Sequence, residues 1–216
     1  QYSTLQYPYV REVLNNFADH EAEDIILMFG AQTAKTMTFA AGELWAVEND
    51  PVTTIHVIDT SSNAQKFAKD RFLPLVNNCK PVRDRLGKAR GDNTTLVKRF
   101  DQMTLYFNGS NSPGNLASVP AGRVIADEID KYPDAKADES SAVKLLEERT
   151  KSYIGAKRFW ASTPTVEDGA INRKWEQSDK RYFMMVDPES GERFKFETSG
   201  LLWPADAKNA ESGEWD

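Results

Sequence analysis

Two short stretches carry residues whose types and spacing could do phosphate chemistry. The first is Ile25-Ile26-Leu27-Met28-Phe29-Gly30-Ala31-Gln32-Thr33-Ala34-Lys35-Thr36-Met37. An apolar run too short for a buried helix leads into small and polar residues, then a Lys-Thr pair, then an apolar-rich segment reaching Val47. That order is strand, tight loop, helix. A loop there can turn backbone N–H groups and a helix N-terminus toward a phosphate. Lys35 would reach the β- and γ-phosphates of ATP, and the Thr36 hydroxyl would bind Mg2+. The full pattern G-x-x-x-x-G-K-[ST] is not met, because Phe29 and Ala34 stand at its two glycine positions and Gly30 comes one residue late. On this stretch alone, phosphate binding and an ordinary strand-to-helix turn with a solvated lysine stand level.

The second stretch is Gly122-Arg123-Val124-Ile125-Ala126-Asp127-Glu128-Ile129-Asp130. A short apolar strand ends in two consecutive carboxylates. Successive strand side chains point to opposite faces, so Asp127 and Glu128 can divide labour. Asp127 would hold Mg2+, directly or through water, and Glu128 would act as general base on an attacking water. The bland counterpart is an acidic helix start favoured by the macrodipole. Open α/β sheets bind ligands beyond the carboxyl ends of their strands, where both stretches would lie, and this favours the chemical reading.

The elements that must position these groups follow from the rest of the chain. Tyr2, Tyr7, Pro8 and Tyr9 lead into Val10, Val13, Leu14 and Phe17 at helical spacing, an aromatic arm entering a short helix. One of these aromatics, or Gln6, could face an adenine ring, or the arm could simply cover a hydrophobic edge. Val52 to Thr60 reads as a second strand, with His56 inside it as a packed histidine rather than a ligand. Ser61, Ser62 or Asn63 is expected to cap a helix running to about Asn78. Lys80, Arg83, Arg85, Lys88 and Arg90 fall in a polar segment that reads as a solvated charged loop. Thr94 to Asn108 suggests two short strands or a hairpin, and Gly109 to Gly114 a loop. After a charged loop, a helix ending near Tyr153 should bear Val143, Leu146 and Ile154 on one side. Arg158 to Ala161 enters a strand tipped by Ser162-Thr163-Pro164-Thr165, whose hydroxyls could sense a γ-phosphate or merely cap a helix. A short helix over 170–178 and a hairpin over 181–203, turning at Pro188 to Gly191, precede a polar tail expected to fray.

This alternation implies a mainly parallel sheet flanked by helices. The 216 residues, 40% of them hydrophobic, suit one domain with appendages. The single Cys79 excludes an internal disulfide and a cysteine zinc site, and suits a reducing compartment. No apolar run approaches the roughly 18 residues of a membrane span, and no basic-then-apolar N-terminal signal is present. The net charge of −6 gives no overall attraction for nucleic acid, so any DNA contact must be local or shared among copies.

Taken together, the ordered stretches resemble the ATPase domain of phage terminase large subunits, the motors that package viral DNA, in the branch of the lambda-type subunit. The resemblance rests on Tyr7-Pro8-Tyr9-Val10-Arg11-Glu12, Phe29 to Thr36, Phe67-Ala68-Lys69-Asp70-Arg71-Phe72, Asn111-Ser112-Pro113-Gly114-Asn115-Leu116, Val124 to Asp130 and Ala161 to Thr165. It implies a P-loop NTPase fold of the additional-strand, catalytic-glutamate type with a C-terminal hairpin extension. A nucleotide loop would run over Gly30, Ala31, Gln32, Thr33, Ala34, Lys35 and Thr36. Thr36 and Asp127 would hold the metal, Glu128 and Lys35 would be catalytic, and Ser162 and Thr163 would couple hydrolysis to movement. Relatives often carry arginines where this chain has Ala31, Ala117 and Val119, which leaves Arg123, Arg99 and Arg71 as candidate arginine fingers. They also often carry a cysteine pair where this chain reads Val186 to Gly191, so no metal knuckle is expected there.

The resemblance further implies residues 1–24 as N-terminal arm, 25–180 as core and 181–216 as hairpin and tail, without the nuclease domain of a full large subunit. Implied partners are ATP and Mg2+, double-stranded DNA, a portal protein, the terminase small subunit and further copies in a ring, the isolated module being monomeric. The setting would be the host cytoplasm. A helicase-like ATPase, or an assembly module with a degenerate phosphate loop, are the alternative readings.

Overall fold

The computed structural model describes residues 4–19, 21–134 and 140–195. It divides into two compact units, Gln1–Asp179 and Lys180–Asp216. In the first unit, α1 (Val10–Asn15) is followed by β1 (Asp24–Met28), α2 (Lys35–Asn49), β2 (Thr54–Ile58), α3 (Ser61–Phe67), α4 (Leu73–Asn78), α5 (Lys80–Arg85), β3 (Val97–Arg99) and β4 (Thr104–Gly109). Then come α6 (Pro113–Leu116), β5 (Arg123–Asp127), α7 (Ala142–Thr150), β6 (Lys157–Ser162) and α8 (Ala170–Glu176). The second unit carries β7 (Met184–Val186) and β8 (Arg193–Lys195), an antiparallel hairpin.

Six strands form one sheet in the order β1-β6-β5-β2-β4-β3, parallel throughout except for the edge strand β3. Two-residue periodicity sorts the strand side chains onto two faces. Ile25, Leu27, Ile125, Phe159 and Ala161 pack with Phe39 of α2 and with Val13 and Phe17. Val124, Ala126 and Trp160 pack on the other face with Leu116, Ala142, Leu146 and Ile171, from α6, α7 and α8. A third cluster gathers Phe67, Phe72, Val76, Val82 and Phe107 beneath α3, α4 and α5. Strands buried on both faces read as near-continuous apolar runs, as in the centre of β5, while β1 is fully buried on one face only and β2 keeps Thr54 and His56 within its buried run.

Several expectations need correction. The helix after β2 is capped one residue earlier than expected, by the Thr60 hydroxyl, which accepts from the Asn63 N–H at 3.2 Å. It is not one helix: a π-helical turn, Ala68–Phe72, joins α3 to α4. The basic segment is partly helical, because Pro81, with its preset φ, starts α5. The loop after β4 contains α6, opened in the same way by Pro113. Ile154 lies past the end of α7 and is fully exposed, so it does not join Val143 and Leu146. The frayed tail and the end of the predicted hairpin, Trp203 included, lie outside the described residues.

Candidate nucleotide site

The register of the central strands assembles the site. Met28 pairs with Ser162, and Asp127 pairs with Ala161, so the carboxyl ends of β1, β6 and β5 finish side by side. Asp127 has the same parity as Ile125 and therefore points toward α2. There the Thr36 hydroxyl donates to Asp127 Oδ2 at 2.6 Å. The first stretch and the second, 91 positions apart, meet directly.

The loop between β1 and α2 is wound tightly. Gln32 and Ala34 have φ of 57° and 62°, in the left-handed region. For a non-glycine residue that conformation costs about 1 kcal/mol or more, and Ala34 stands at the second glycine position of the phosphate-loop pattern. The Thr33 hydroxyl donates to the Gly30 carbonyl at 2.7 Å, closing the loop on itself. Ala34 is also the residue before α2, and no side chain caps that helix. The N–H groups of its first turn are the ready-made anion donors of any helix start.

Lys35 is 5% exposed and turned back into the loop. Its ammonium donates to Gly30 O at 2.9 Å, Phe29 O at 3.3 Å and Thr163 Oγ1 at 2.9 Å. It also lies 3.7 Å from Glu128 Oε1, and Lys131 lies 3.4 Å from Glu128 Oε2. Glu128 itself sits at φ 60°, immediately before a 3-10 turn, Ile129–Lys131. Lys35, Thr36, Asp127, Glu128 and Thr163 therefore share one niche. Ser162 faces the other way: its Oγ accepts from the Asp130 N–H at 3.2 Å.

Electrostatics make Asp127 the residue in need of a cation. Burial pushes its carboxyl above the usual range, against the hydrogen bond from Thr36, which lowers it. Its Oδ1 is buried and lacks a hydrogen-bond partner. A carboxylate oxygen of this kind beside a hydroxyl fits Mg2+, which needs only one or two protein ligands when substrate phosphates and water supply the rest. Behind the niche, His56 of β2 and Glu43 of α2 form a fully buried pair, Nδ1 to Oε1, at 2.8 Å. Burial lowers the histidine pKa, but the Glu43 carboxylate more than offsets this and holds it above its ordinary value. Sequence reasoning expected His56 to be packed but missed Glu43, whose only cue is that it falls eight residues, about two turns, after Lys35.

The other sequence candidates are placed elsewhere. Arg123 begins β5, at the opposite end from Asp127, is 1% exposed and pairs with Asp50 at 2.5 Å. Arg71 lies on the π-helical turn and Arg99 on the edge strand, both exposed. From the aromatic arm, the Tyr9 hydroxyl donates to Thr33 O at 3.4 Å and its ring meets Phe29 edge-on at 5.7 Å, against the loop. Gln6 is exposed. In the basic segment, Lys80 pairs with Asp84, and Arg85 reaches Glu48 at 3.2 Å, so part of its charge is internally compensated. Among the described residues there is no group of three or more His, Cys, Asp and Glu able to hold a metal, and no helix long and apolar enough to cross a membrane.

A parallel sheet whose first strand feeds a tight loop and a Lys-Thr helix start, with an acidic strand end two positions away in the sheet, defines a P-loop ATPase-domain fold. A family model described as the ATPase domain of the phage terminase large subunit gpA matches residues 1–215. The chain belongs to that family. Among solved structures it is similar to the ATPase domain of the Thermus phage P74-26 large terminase, with 12% identity, TM-score 0.57, and 85% of this chain and 76% of that one covered. The HK97 bacteriophage large terminase aligns with 13% identity and TM-score 0.58, over 78% of this chain and 35% of that one. The large terminase of a thermophilic bacteriophage, solved in complex with ADP, aligns with 16% identity and TM-score 0.56 over 78% of this chain and 41% of that one. At such identities the likeness is one of fold. The chain spans about two-fifths of that thermophilic phage protein's length. No curated protein sequence matches.

Proposed function

We propose that this domain hydrolyses ATP with Mg2+ and that, within a terminase large subunit, hydrolysis drives double-stranded DNA into a procapsid. The observation that carries the reading is the single niche in which the Thr36–Asp127 hydrogen bond, Lys35 and Glu128 converge. Lys35 would exchange its loop carbonyls and Thr163 for the β- and γ-phosphates, helped by the N–H groups from Gly30 to Thr36. Thr36 and Asp127 would hold Mg2+, which neutralises charge developing on the phosphate oxygens. Glu128 would accept a proton from water as the water oxygen bonds to the γ-phosphorus and the bond to the bridging oxygen breaks. Ser162 and Thr163 would pass the change at the phosphates into the rest of the fold. Tyr9, already against the loop, is the best placed aromatic for an adenine ring.

Arg123 is poorly placed for an arginine finger, since its guanidinium is buried against Asp50. Arg71 or Arg99 of a neighbouring copy remains, in a ring assembled with DNA, portal protein and small subunit in the host cytoplasm. The test is Glu128→Gln beside Lys35→Ala. The first should lower turnover about 100-fold or more, as loss of a general base does, while ATP affinity changes little; the second should lose affinity as well. Full turnover in Glu128→Gln would sink the assignment. A second reading, a nucleotide-binding module without turnover, draws on the left-handed Ala34 where glycine is expected. It predicts nucleotide binding with no phosphate release under any condition.

A further inference from the structure

Asp130 belongs to neither half of the proposed chemistry, yet it ties them together. Its N–H donates to Ser162 Oγ at 3.2 Å. Its carboxylate then crosses to the segment after β6: Oδ2 accepts from the Thr165 N–H at 3.3 Å and Oδ1 from the Ile171 N–H at 2.8 Å. Ile171 is the second residue of α8, and no side chain of its own segment caps that helix. Asp130 therefore supplies the cap from another element. The fit is close enough that a Cβ at Gly169 would come within 2.4 Å of Oδ2.

Glu128 is two residues upstream on the same short turn, whose Lys131 N–H donates back to Glu128 O at 2.9 Å. A displacement of Asp130 thus moves the backbone that aims Glu128. From the other side, Thr163 holds Lys35 at 2.9 Å, and Thr165 and α8 follow it in the chain. Further out, Lys174 of α8 lies over the Trp160 ring at 3.9 Å and pairs with Glu147 of α7 at 2.9 Å.

We propose that Asp130 is a positioning residue, a latch that makes the Glu128 turn, the Ser162–Thr163 strand end and the start of α8 move as one body when nucleotide binds. The proposal rests on the ATPase reading above. Two mechanisms could explain the same bonds, a plain helix cap or a latch, and they differ in what nucleotide does. A cap keeps Thr165 and Ile171 equally protected with and without ligand. A latch makes their protection depend on the occupant of the phosphate loop.

The experiment is hydrogen exchange of the whole chain with and without Mg2+ and a non-hydrolysable ATP analogue, together with ATP affinity, kcat and KM for wild type, Asp130→Asn and Asp130→Ala. In the wild type, the analogue should slow exchange at Thr165 and Ile171 as well as in the phosphate loop. In Asp130→Ala the loop response should persist while the Thr165 and Ile171 response disappears. Its kcat should fall about 10- to 100-fold, the scale of a misaligned catalytic group, with KM and affinity within about twofold. Asp130→Asn, which keeps one acceptor, should recover part of both. A wild-type chain that binds the analogue with no change at Thr165 and Ile171 overturns the latch, whether or not the variants fold; so does Asp130→Ala with unchanged kcat. A wild type that does not bind the analogue at all overturns the ATPase reading instead.

Discussion

At the scale of single residues, the buried His56–Glu43 pair ties folding to pH. The histidine pKa is raised on folding, so the stability it contributes is fully present below its unfolded value of about 6.5 and is lost as pH rises through the higher folded value. Denaturation midpoints measured between pH 6 and pH 8 should fall toward the alkaline side, and Glu43→Gln should flatten that slope. A midpoint that rises with pH would contradict the pairing. The convergence of Lys35, Thr36, Asp127 and Glu128 was legible without a structure, because the first two follow a strand and a tight loop at a helix start and the other two end a strand. Glu43 and Asp130 were not, because a carboxylate in a helix or after a strand is ordinarily solvated, and only the fold reveals that one meets His56 and the other two backbone N–H groups. Arg123 misled for the opposite reason. Its proximity to the acidic pair in sequence becomes distance in a strand, which rises about 3.3 Å per residue.

Among the elements, α2 is the one on which the niche depends, since it carries Lys35 and Thr36 at one end and anchors Phe39 in the core. Its interior holds Gly42, which helix propensity alone would replace with alanine for a gain approaching 1 kcal/mol. Packing decides otherwise. A Cβ there would fall 2.2 Å from the Phe17 ring, itself stacked on Phe159 at 4.2 Å. Gly42→Ala should therefore destabilise by up to about 2 kcal/mol, the usual cost of about 1–3 kcal/mol for overpacking less the propensity gain, readable in thermal or urea unfolding. An unchanged or raised midpoint would mean that the Phe17 segment yields freely. The inner strands β2 and β5 were predictable because burial along their whole length selects β-branched and apolar residues. Short α5 and α6 were not, because each depends on a proline at its start rather than on hydrophobic periodicity, and the left-handed turns at Gln32, Ala34 and Glu128 leave no compositional trace when glycine is absent.

For the whole molecule, none of the hydrogen bonds and ion pairs described at the niche comes from an arginine, so under the proposed function turnover should require company. Steady-state ATPase across a protein concentration series should rise more steeply than linearly and vanish in Lys35→Ala. Strictly linear activity would place the missing positive charge within one copy. The sheet order has a consequence of another kind. β1, which feeds the phosphate loop, lies at the edge, and among the described strands its one neighbour is β6, with Asp24 and Arg158 meeting across 134 positions. At about 5–20 residues per second of synthesis, a ribosome takes roughly 7–27 s to deliver β6 after β1 has emerged. Throughout that interval the loop from Gly30 to Thr36 lacks the strand beside it, and Lys35 lacks Thr163, so the niche cannot close until synthesis has passed β6.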